Sequence, residues 1–347
     1  MRYLSGLLAW WVMKMNTKAV YEVPAKSVLN LNSGFRKKKL CDGPTFTAGT
    51  SCCYSCRYCY VEDAVGKTTH FQDILKSDPS VKFAGIVMRR KNAVEILRKQ
   101  LTNSKGMPKY LSESDLRVVY ASPLVDVAPN LTLANETVEM IKVVMSLTNW
   151  EVRLLSKSTF LPKIAAAIAE LKKGWEKRIM FGVSTGTLED GVARAIEVGT
   201  PLVSKRIESL HWLQDNGFRT YGMICPSLPC NDYPAFAKDM AAALRTEKME
   251  SVYAEALNAR GESFEQTYNA LTAGGYRNTA TDFQGITKNK QAWETYSRAL
   301  FSAHADVYRN QMATDRALGP KLRFLQYCNK ATEPWWNSRV QDGAVIL

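Results

Sequence analysis

The sequence predicts an α/β protein in which strands and helices alternate around a parallel sheet. Short apolar runs recur along the chain, and segments with apolar residues at three- and four-residue spacing lie between them. This alternation is typical of βα units, because a parallel strand needs a crossover connection before the next one. The predicted strands are 117–120, 151–155, 178–183, 219–225 and 251–255.

Four helices are predicted among these strands, at 92–101, 133–147, 161–173 and 203–216. The last of them ends before Gly217, a residue type that commonly follows a helix C-terminus. Beyond about residue 260 the alternation stops. Apolar residues then recur at three and four positions within 293–307, which predicts a helix whose apolar face packs on the α/β domain.

The bulk composition indicates an ordinary soluble globular protein, with 347 residues, 46% hydrophobic and 23% charged. An apolar stretch opens the sequence at 1–13, but it is too short to cross a bilayer and no small-residue cleavage site follows it. We therefore expect no signal peptide, no membrane partner and a cytoplasmic location. Met15 is as good a translation start as Met1.

Four of the eight cysteines fall within residues 52–59. Crowded cysteines in a long chain indicate metal ligands in a reducing compartment rather than disulfides. Cys52, Cys56 and Cys59 are separated by three and two residues, and Tyr58 places an aromatic ring directly before the last thiolate. Three thiolates on one loop can bind three irons of a 4Fe-4S cluster and leave the fourth iron open to a small ligand.

Other metal sites would use parts of the same motif. A zinc module needs a second ligand pair a dozen or more residues away, and no such pair follows Cys59 at that distance. A ferredoxin-like site would use Cys53, Cys56 and Cys59 with a distant fourth cysteine. The cysteines available for that position are Cys225, Cys230 and Cys328. Buried free thiols are the remaining alternative.

The cysteine motif and several segments between about Val20 and Arg260 resemble the radical S-adenosylmethionine (SAM) superfamily, in particular its spore photoproduct lyase branch. The matching segments are 25–30, 52–60, 87–101, 122–129, 155–158, 183–187, 197–201, 223–229 and 253–260. The resemblance implies a partial, six-stranded (β/α) barrel of the TIM type at 45–260. An N-terminal extension at 1–44 and a mostly helical C-terminal extension at 261–347, packed on the barrel, complete the expected organisation.

The resemblance also implies the cofactors, a 4Fe-4S cluster bound by Cys52, Cys56 and Cys59, and SAM. In this superfamily the open iron binds the amino acid part of SAM, and an electron cleaves the sulfonium to a 5′-deoxyadenosyl radical that abstracts hydrogen from a substrate. A lyase- or transferase-type reaction is expected, on a substrate that these motifs do not specify. Because no flavin or nicotinamide fingerprint is present, a flavodoxin or ferredoxin is the expected electron donor.

Residues at the ends of predicted strands are the implied SAM ligands. Lys157 closes the third strand, where the family's lysine approaches the SAM carboxylate. Ser184 and Thr185 end the fourth strand, where small hydroxyl residues can reach the SAM ribose or carboxylate, although turn chemistry also accounts for them. Arg206 either pairs with SAM or forms a structural pair with Glu208 or Glu197. The remaining implied contacts are Tyr58, Ser122, Glu255 and Asp126, the last in a segment that departs from the family pattern at Val127 and Ala128.

The hydrogen-atom donor is a separate question. In the spore photoproduct lyase branch a cysteine after the second strand returns hydrogen to the product, but no cysteine lies between Cys59 and Cys225 here. Cys225 and Cys230, at the end of the fifth strand, are interpreted as hydrogen donors or as buried apolar thiols. The three histidines are too scattered to predict acid/base catalysis.

The formal net charge of +13 suggests a polyanionic partner such as nucleic acid, with the densest basic runs at 36–39 and 89–91. Solvated basic faces would account for the same charge. Three functions therefore stay open: a radical enzyme acting on nucleic acid, a radical enzyme acting on a peptide or small metabolite, and a non-enzymatic iron-sulfur or zinc protein that binds nucleic acid.

Overall fold

A computed structural model describes residues 19–257, 262–316 and 318–347, except for the side chains of 63 and 64. The alternative start at Met15 and the last part of the matching segment 253–260 lie outside the described residues. None of the helices in these ranges combines the length and the apolarity that a bilayer span requires.

Two sheets organise the fold. The described strands are β1 (Val20–Val23), β2 (Leu29–Asn30), β3 (Thr45–Phe46), β4 (Gly49–Ser51), β5 (Val87–Arg90), β6 (Val118–Ala121), β7 (Glu151–Ser156), β8 (Ile179–Ser184), β9 (Arg219–Ser227), β10 (Ser251–Ala256), β11 (Leu322–Gln326) and β12 (Ala344–Ile346). The main sheet has the order β12-β11-β10-β9-β8-β7-β6-β3-β2, and a small sheet has the order β1-β5-β4. Neighbours in the main sheet run parallel, except that β2 is antiparallel to β3.

Helices connect the parallel strands. They are α1 (Val61–Val65), α2 (Thr69–Ser77), α3 (Ala93–Leu101), α4 (Leu131–Leu147), α5 (Leu161–Leu171), α6 (Asp190–Ile196), α7 (Val203–Asp215), α8 (Tyr233–Leu244), α9 (Glu262–Ala273), α10 (Arg277–Lys288), α11 (Lys290–Val307) and α12 (Glu333–Asn337). Polar caps fix several starts: the Asn130 side chain accepts a bond from the Leu133 amide, and Asp232 accepts one from Ala235. Helices α3, α4, α5, α7, α8 and α11 contact one another in this order.

The predicted α/β class with a parallel sheet is confirmed. All five predicted strands correspond to β6 through β10, and the predicted helices correspond to α3, α4, α5, α7 and α11. Strands such as β8 are buried along their whole length, as expected for a parallel sheet covered on both faces. The sheet is open, with β2 and β12 at its edges, and is not a closed barrel.

The C-terminal segment contributes strands to the main sheet in addition to its helices. Six parallel strands, β3 and β6 to β10, match the implied barrel, but β11 and β12 continue the same sheet. The segment of β11 reads as mixed because it contains Arg323 and Gln326, yet both side chains are buried. Arg323 pairs with Asp315, and Gln326 accepts a bond from Ser297, so each polar group is compensated in the interior. The boundaries at 45 and 260 stay a prediction.

The inner face of the main sheet is concave and is partly filled by residues 33–41. Arg153 of β7 donates to the Tyr253 hydroxyl of β10 at 2.9 Å, across two intervening strands. Both side chains also donate to the carbonyl oxygen of Lys39, Arg153 at 2.8 Å and Tyr253 at 2.5 Å. Phe35 stacks on Tyr120 of β6 with ring centroids 5.3 Å apart. We call residues 33–41 the plug, because they lie inside the curve of the sheet.

One buried histidine makes folding pH-dependent. His304 of α11 is fully buried, and neither ring nitrogen has a hydrogen-bond partner among the described residues. Burial lowers the pKa of His304 from 6.5 to about 4. Protonation is therefore easier in the unfolded chain, and the stability that neutral His304 permits is lost as the pH falls from about 6.5 towards 4.

We expect His304→Phe to remove this part of the pH dependence. Between pH 7 and pH 5 the free energy of unfolding of the unmodified protein should fall by about 2 kcal/mol more than that of the variant. Urea unfolding at both pH values measures the difference. His211→Phe is the control, because His211 is only partly buried and its Nε2 bonds to the Ala243 carbonyl oxygen. Equal pH dependence of the His304 variant and the unmodified protein would refute the assignment.

Candidate active site

A cavity of about 580 Å³ lies where the carboxyl ends of β6 to β11 meet. Catalytic sites of α/β barrels are built at this end of the strands. Each strand end contributes at least one polar residue to the cavity lining: Ser122, Lys157, Ser184, Cys225, Glu255 and Tyr327, in the order of the sheet. The loop that contains the cysteine motif forms the wall beside the first of these strands.

The cysteine loop places three thiols at the cavity. Cys52, Cys56 and Cys59 line it, whereas Cys53 is not among the described lining residues and its Sγ donates to the Pro129 carbonyl oxygen at 3.6 Å. Within the described residues, no three Cys, His, Asp or Glu side chains converge closely enough to bind a single ion. An iron-sulfur cube does not require such convergence, because each thiolate binds a different iron.

Backbone contacts fix the loop against the segment that follows α6. The Arg57 amide donates to the Ile196 carbonyl oxygen at 2.8 Å, and the Gly199 amide donates to that of Tyr54 at 2.8 Å. A Cβ atom at Gly199 would lie 2.4 Å from the Cys53 carbonyl oxygen, so only glycine permits this approach. The positions of the cysteines therefore depend on a distant part of the sequence.

A buried carboxylate connects the cysteine loop to the strand ends. Glu197 accepts hydrogen bonds from the Tyr58 hydroxyl and from the Arg206 guanidinium, and its Oε1 lies 3.7 Å from Nζ of Lys157. Burial is the largest influence on the pKa of Lys157 and lowers it, but Glu197, Cys56 and Cys225 together outweigh burial, and the pKa of Lys157 lies above its ordinary value. Arg206 is fully buried, does not line the cavity and pairs with Glu197, while its contact with SAM stays a prediction.

Asp126 organises the turn that presents Lys157. Its carboxylate accepts bonds from the Ser156 hydroxyl at 2.6 Å, the Lys157 amide at 2.9 Å and the Ala128 amide at 2.9 Å. Burial nevertheless raises the pKa of Asp126 above its ordinary value. Through these hydrogen bonds Asp126 positions the backbone of Lys157. Asp126 is also one of the residues that line the cavity.

The predicted hydroxyl residues are placed differently. Ser122 lines the cavity and is buried, and its Oγ has no hydrogen-bond partner among the described residues. Ser184 accepts a bond from Nζ of Lys157 at 3.2 Å and donates to the Cys225 carbonyl oxygen at 3.3 Å. Thr185 does not line the cavity, and its hydroxyl donates to the Thr187 carbonyl oxygen.

The far side of the cavity carries a thiol, a carboxylate and a lysine. Cys225 donates from Sγ to Oε2 of Glu255 at 3.5 Å, and burial raises the pKa of both groups. Oε1 of the same carboxylate lies 3.8 Å from Nζ of Lys38. Cys230, the other predicted hydrogen donor, lies beyond the end of β9 and is not among the lining residues.

Comparison with family models gives no match, and comparison with curated proteins gives none either. Comparison with solved structures finds a cysteine-to-serine mutant of spore photoproduct lyase, with a TM-score of 0.51 and 12% sequence identity. The chain has the fold of spore photoproduct lyase. A second structure, spore photoproduct lyase complexed with dinucleoside spore photoproduct, has a TM-score of 0.50 and 12% identity. Each alignment covers 73% of this chain and 66% of the other, so this chain spans about two thirds of the spore photoproduct lyase length.

The spore photoproduct lyase fold explains why the predicted residues meet, but the sequence does not predict the roles of two residues in the cavity region. The sequence indicates Glu197 only as a partner for Arg206, although it also contacts Tyr58 and Lys157. Lys38 belongs to a run that predicts a basic surface. Arg36, Lys37 and Lys39 are indeed exposed, whereas Lys38 turns into the cavity. Its position depends on the plug, and no local pattern predicts that.

Proposed function

We propose that this protein is a radical SAM enzyme. The observation that carries the proposal is that Cys52, Cys56 and Cys59 line one cavity with Lys157 and with the Ser122 hydroxyl, which has no hydrogen-bond partner in the part of the chain that the structure describes. Unpaired buried hydroxyl groups are uncommon in folded proteins, and one that faces a cavity suggests a polar ligand. The thiol donor set suits iron.

The cysteines would bind the cluster, and residues at the strand ends would bind SAM. Cys52, Cys56 and Cys59 would hold a 4Fe-4S cluster, and when bound together the cluster and SAM supply a 5′-deoxyadenosyl radical that abstracts hydrogen from a substrate. Lys157 would bind the SAM carboxylate, and Glu197 would keep the ammonium group of Lys157 charged and oriented. The implied contacts of Ser122, Asp126, Ser184, Tyr58 and Glu255 stay proposals, as do those of Thr185 and Arg206, which lie outside the cavity lining.

Lys157→Ala is expected to weaken SAM binding and to leave the iron content unchanged, because it removes a cation from the SAM side and no ligand from the irons. Equilibrium dialysis with labelled SAM and iron analysis measure the two effects on the same preparation. Lys163→Ala is the matched control, since Lys163 is exposed on α5. An unchanged SAM dissociation constant in the Lys157 variant would remove this residue from the site.

Of the two predicted hydrogen donors, Cys225 has the geometric support. Its thiol lines the cavity between Lys157 and Glu255, whereas Cys230 does not reach the lining. We expect Cys225→Ala to abolish product formation while SAM cleavage continues, and Cys230→Ala to leave both rates unchanged. The ratio of product to 5′-deoxyadenosine measures the coupling. The same ratio in the two variants would show that Cys225 has no special role.

The test of the proposed function is anaerobic reconstitution with iron and sulfide, reduction, and chromatographic detection of 5′-deoxyadenosine from SAM. Reduced flavodoxin or ferredoxin, the proposed electron donors, can replace a chemical reductant in a second series. SAM cleavage that depends on the cluster supports the proposal. A protein that binds four irons but neither binds nor cleaves SAM would support the non-enzymatic alternative instead.

Nucleic acid is the second candidate partner, favoured by the net charge of +13 and by the exposed Arg36, Lys37 and Lys39 next to the cavity lysine. Binding should weaken steeply with salt, by about one unit of log-log slope for each phosphate contacted. Replacing Arg36, Lys37 and Lys39 with Gln should flatten that slope while Lys38 stays intact. If no DNA or RNA is retained at about 50 mM salt, the charge is a solubility feature.

A further inference from the structure

The cavity contains a pair of opposite charges whose position indicates a role other than the implied SAM contact of Glu255. Lys38 comes from the plug and Glu255 from β10, and both side chains line the cavity. Their side chains are 24% and 15% exposed, so they face the cavity and are largely shielded from bulk solvent. In such surroundings each charge needs a close partner.

The two charges are not closely bonded to each other. Nζ of Lys38 and Oε1 of Glu255 are 3.8 Å apart, which is longer than a hydrogen bond. Elsewhere in the same chain, ion pairs close fully: Arg219 donates to both oxygens of Glu250, at 2.5 and 2.9 Å. Lys38 and Glu255 therefore form a loose ion pair, and Lys38 also interacts with Tyr327, so each group keeps hydrogen-bonding positions that polar groups of a ligand can use.

The plug fixes Lys38 in this position. The carbonyl oxygen of the next residue, Lys39, is held by Arg153 and Tyr253, and the Lys38 ammonium lies 5.6 Å from the Tyr327 ring centroid and 6.0 Å from that of Phe35. A lysine with fixed backbone and aromatic neighbours loses less side-chain entropy on binding than a lysine on an open surface. The arrangement is therefore preorganised for a ligand.

The signs of the two charges select the ligand class. An anion bound to Lys38 alone would lie near the Glu255 carboxylate, and a cation bound to Glu255 alone would lie near the Lys38 ammonium. A ligand with an ammonium and a carboxylate a few bonds apart satisfies both residues at once. The rings of Phe35, Tyr120 and Tyr327 and the side chain of Leu325 line the same region, and offer contacts to an apolar or aromatic remainder.

We propose that Lys38 and Glu255 bind the carboxylate and the ammonium of a substrate α-amino acid with an apolar or aromatic side chain. The inference rests on the proposed function and names its substrate class. It concerns a second ligand and not the amino acid part of SAM, because Lys157 and Ser184, the proposed SAM contacts, lie at the ends of β7 and β8, whereas Lys38 and Glu255 lie over β10 and β11. Cys225 lies beside the pair, within reach of its Glu255.

The test measures binding to the reconstituted protein with SAM present, by equilibrium dialysis. The probes are L-phenylalanine and L-leucine, N-acetyl-L-phenylalanine, which lacks the ammonium, and L-phenylalaninamide, which lacks the carboxylate. We expect a free amino acid to bind about tenfold or more tightly than either derivative. Equal binding of phenylalanine and its two derivatives, or no binding of any amino acid, would overturn the proposal.

Substitutions test whether Lys38 binds the carboxylate of the ligand and Glu255 its ammonium. Lys38→Met should bind phenylalanine and its amide equally, and Glu255→Gln should bind phenylalanine and its N-acetyl derivative equally. Lys37→Met is the matched control, because Lys37 is the exposed neighbour in the same run, and it should keep the selectivity of the unmodified protein. Loss of selectivity in Lys37→Met, or its retention in Lys38→Met, would contradict the assignment. The comparison of probes on the unmodified protein decides the proposal even if a variant fails to fold.

The same samples separate this inference from the proposed function. 5′-Deoxyadenosine is measured with and without the bound amino acid. Absence of the product under every condition, with amino acid binding intact, would refute the radical SAM assignment and leave the binding site standing. Product formation that an oligonucleotide stimulates and no amino acid affects would overturn the amino acid proposal in favour of a nucleic acid substrate.

Discussion

Alanine at Cys52, Cys56 or Cys59 is expected to leave the protein without an iron-sulfur cluster, whereas Cys53→Ala should retain about four irons per chain. The three proposed ligand positions line the cavity, and Cys53 instead donates to the Pro129 carbonyl oxygen. Loss of any one thiolate leaves an iron without its protein ligand, and the remaining two seldom hold a cube. We therefore expect an all-or-none pattern across the four variants.

Iron and sulfide analysis after anaerobic reconstitution measures this pattern, with visible absorbance as a second readout. Cys53→Ala is the internal control, because it removes a thiol from the same loop. Circular dichroism checks that each variant is folded. A cluster that needs Cys53 and tolerates Cys52→Ala would establish the ferredoxin-like spacing and refute the radical SAM motif.

The fold was predictable where the pattern was local. β6 to β10 follow short apolar runs that are buried along their length, and the long apolar face of α11 repeats at helical spacing. Strand β11 was missed because Arg323 and Gln326 interrupt its apolar pattern. Their compensation by Asp315 and Ser297 comes from residues that only the tertiary structure brings near.

In the candidate site, too, local features could be predicted from the sequence and long-range contacts could not. The spacing of the cysteines and the position of Lys157 after β7 could be read from the sequence, because motif and strand end are both local features. The plug could not be predicted, since its residues 36–39 read as a basic surface run. Of the four basic residues at 36–39, only Lys38 lies in the cavity. Its position depends on the curvature of the sheet, which contacts such as Arg153 with Tyr253 fix.

The plug depends in turn on a buried ion cluster at the base of the cavity. Asp315 is almost fully buried and bonds to two guanidinium groups, Arg153 at 3.0 Å and Arg323 at 2.8 Å. Both arginines also donate to the Tyr253 hydroxyl, and this hydroxyl and Arg153 hold the Lys39 carbonyl oxygen. One carboxylate therefore compensates two buried cations and, through them, fixes the residue next to Lys38.

Asp315→Ala is expected to lower the free energy of unfolding by about 3 to 5 kcal/mol, because it leaves two buried cations without their carboxylate. Such a loss is a large share of the stability of an ordinary domain, about 5 to 15 kcal/mol. Urea unfolding measures it at neutral pH. Asp315→Asn is the companion variant, since it keeps the shape and part of the hydrogen bonding but removes the charge.

The matched control is Asp215→Ala. Asp215 also pairs with two cations, Arg245 at 2.9 Å and Lys248 at 2.8 Å, but its side chain is 51% exposed. Water and salt compensate its partners when it is removed, so the change should be far smaller than at Asp315. Equal effects at the two positions would mean that the buried cluster adds nothing beyond a surface pair.

The same Asp315 variant also tests the link to the ligand site. If the folded variant loses its preference for phenylalanine over phenylalaninamide, the buried ion cluster holds the plug in the position that presents Lys38.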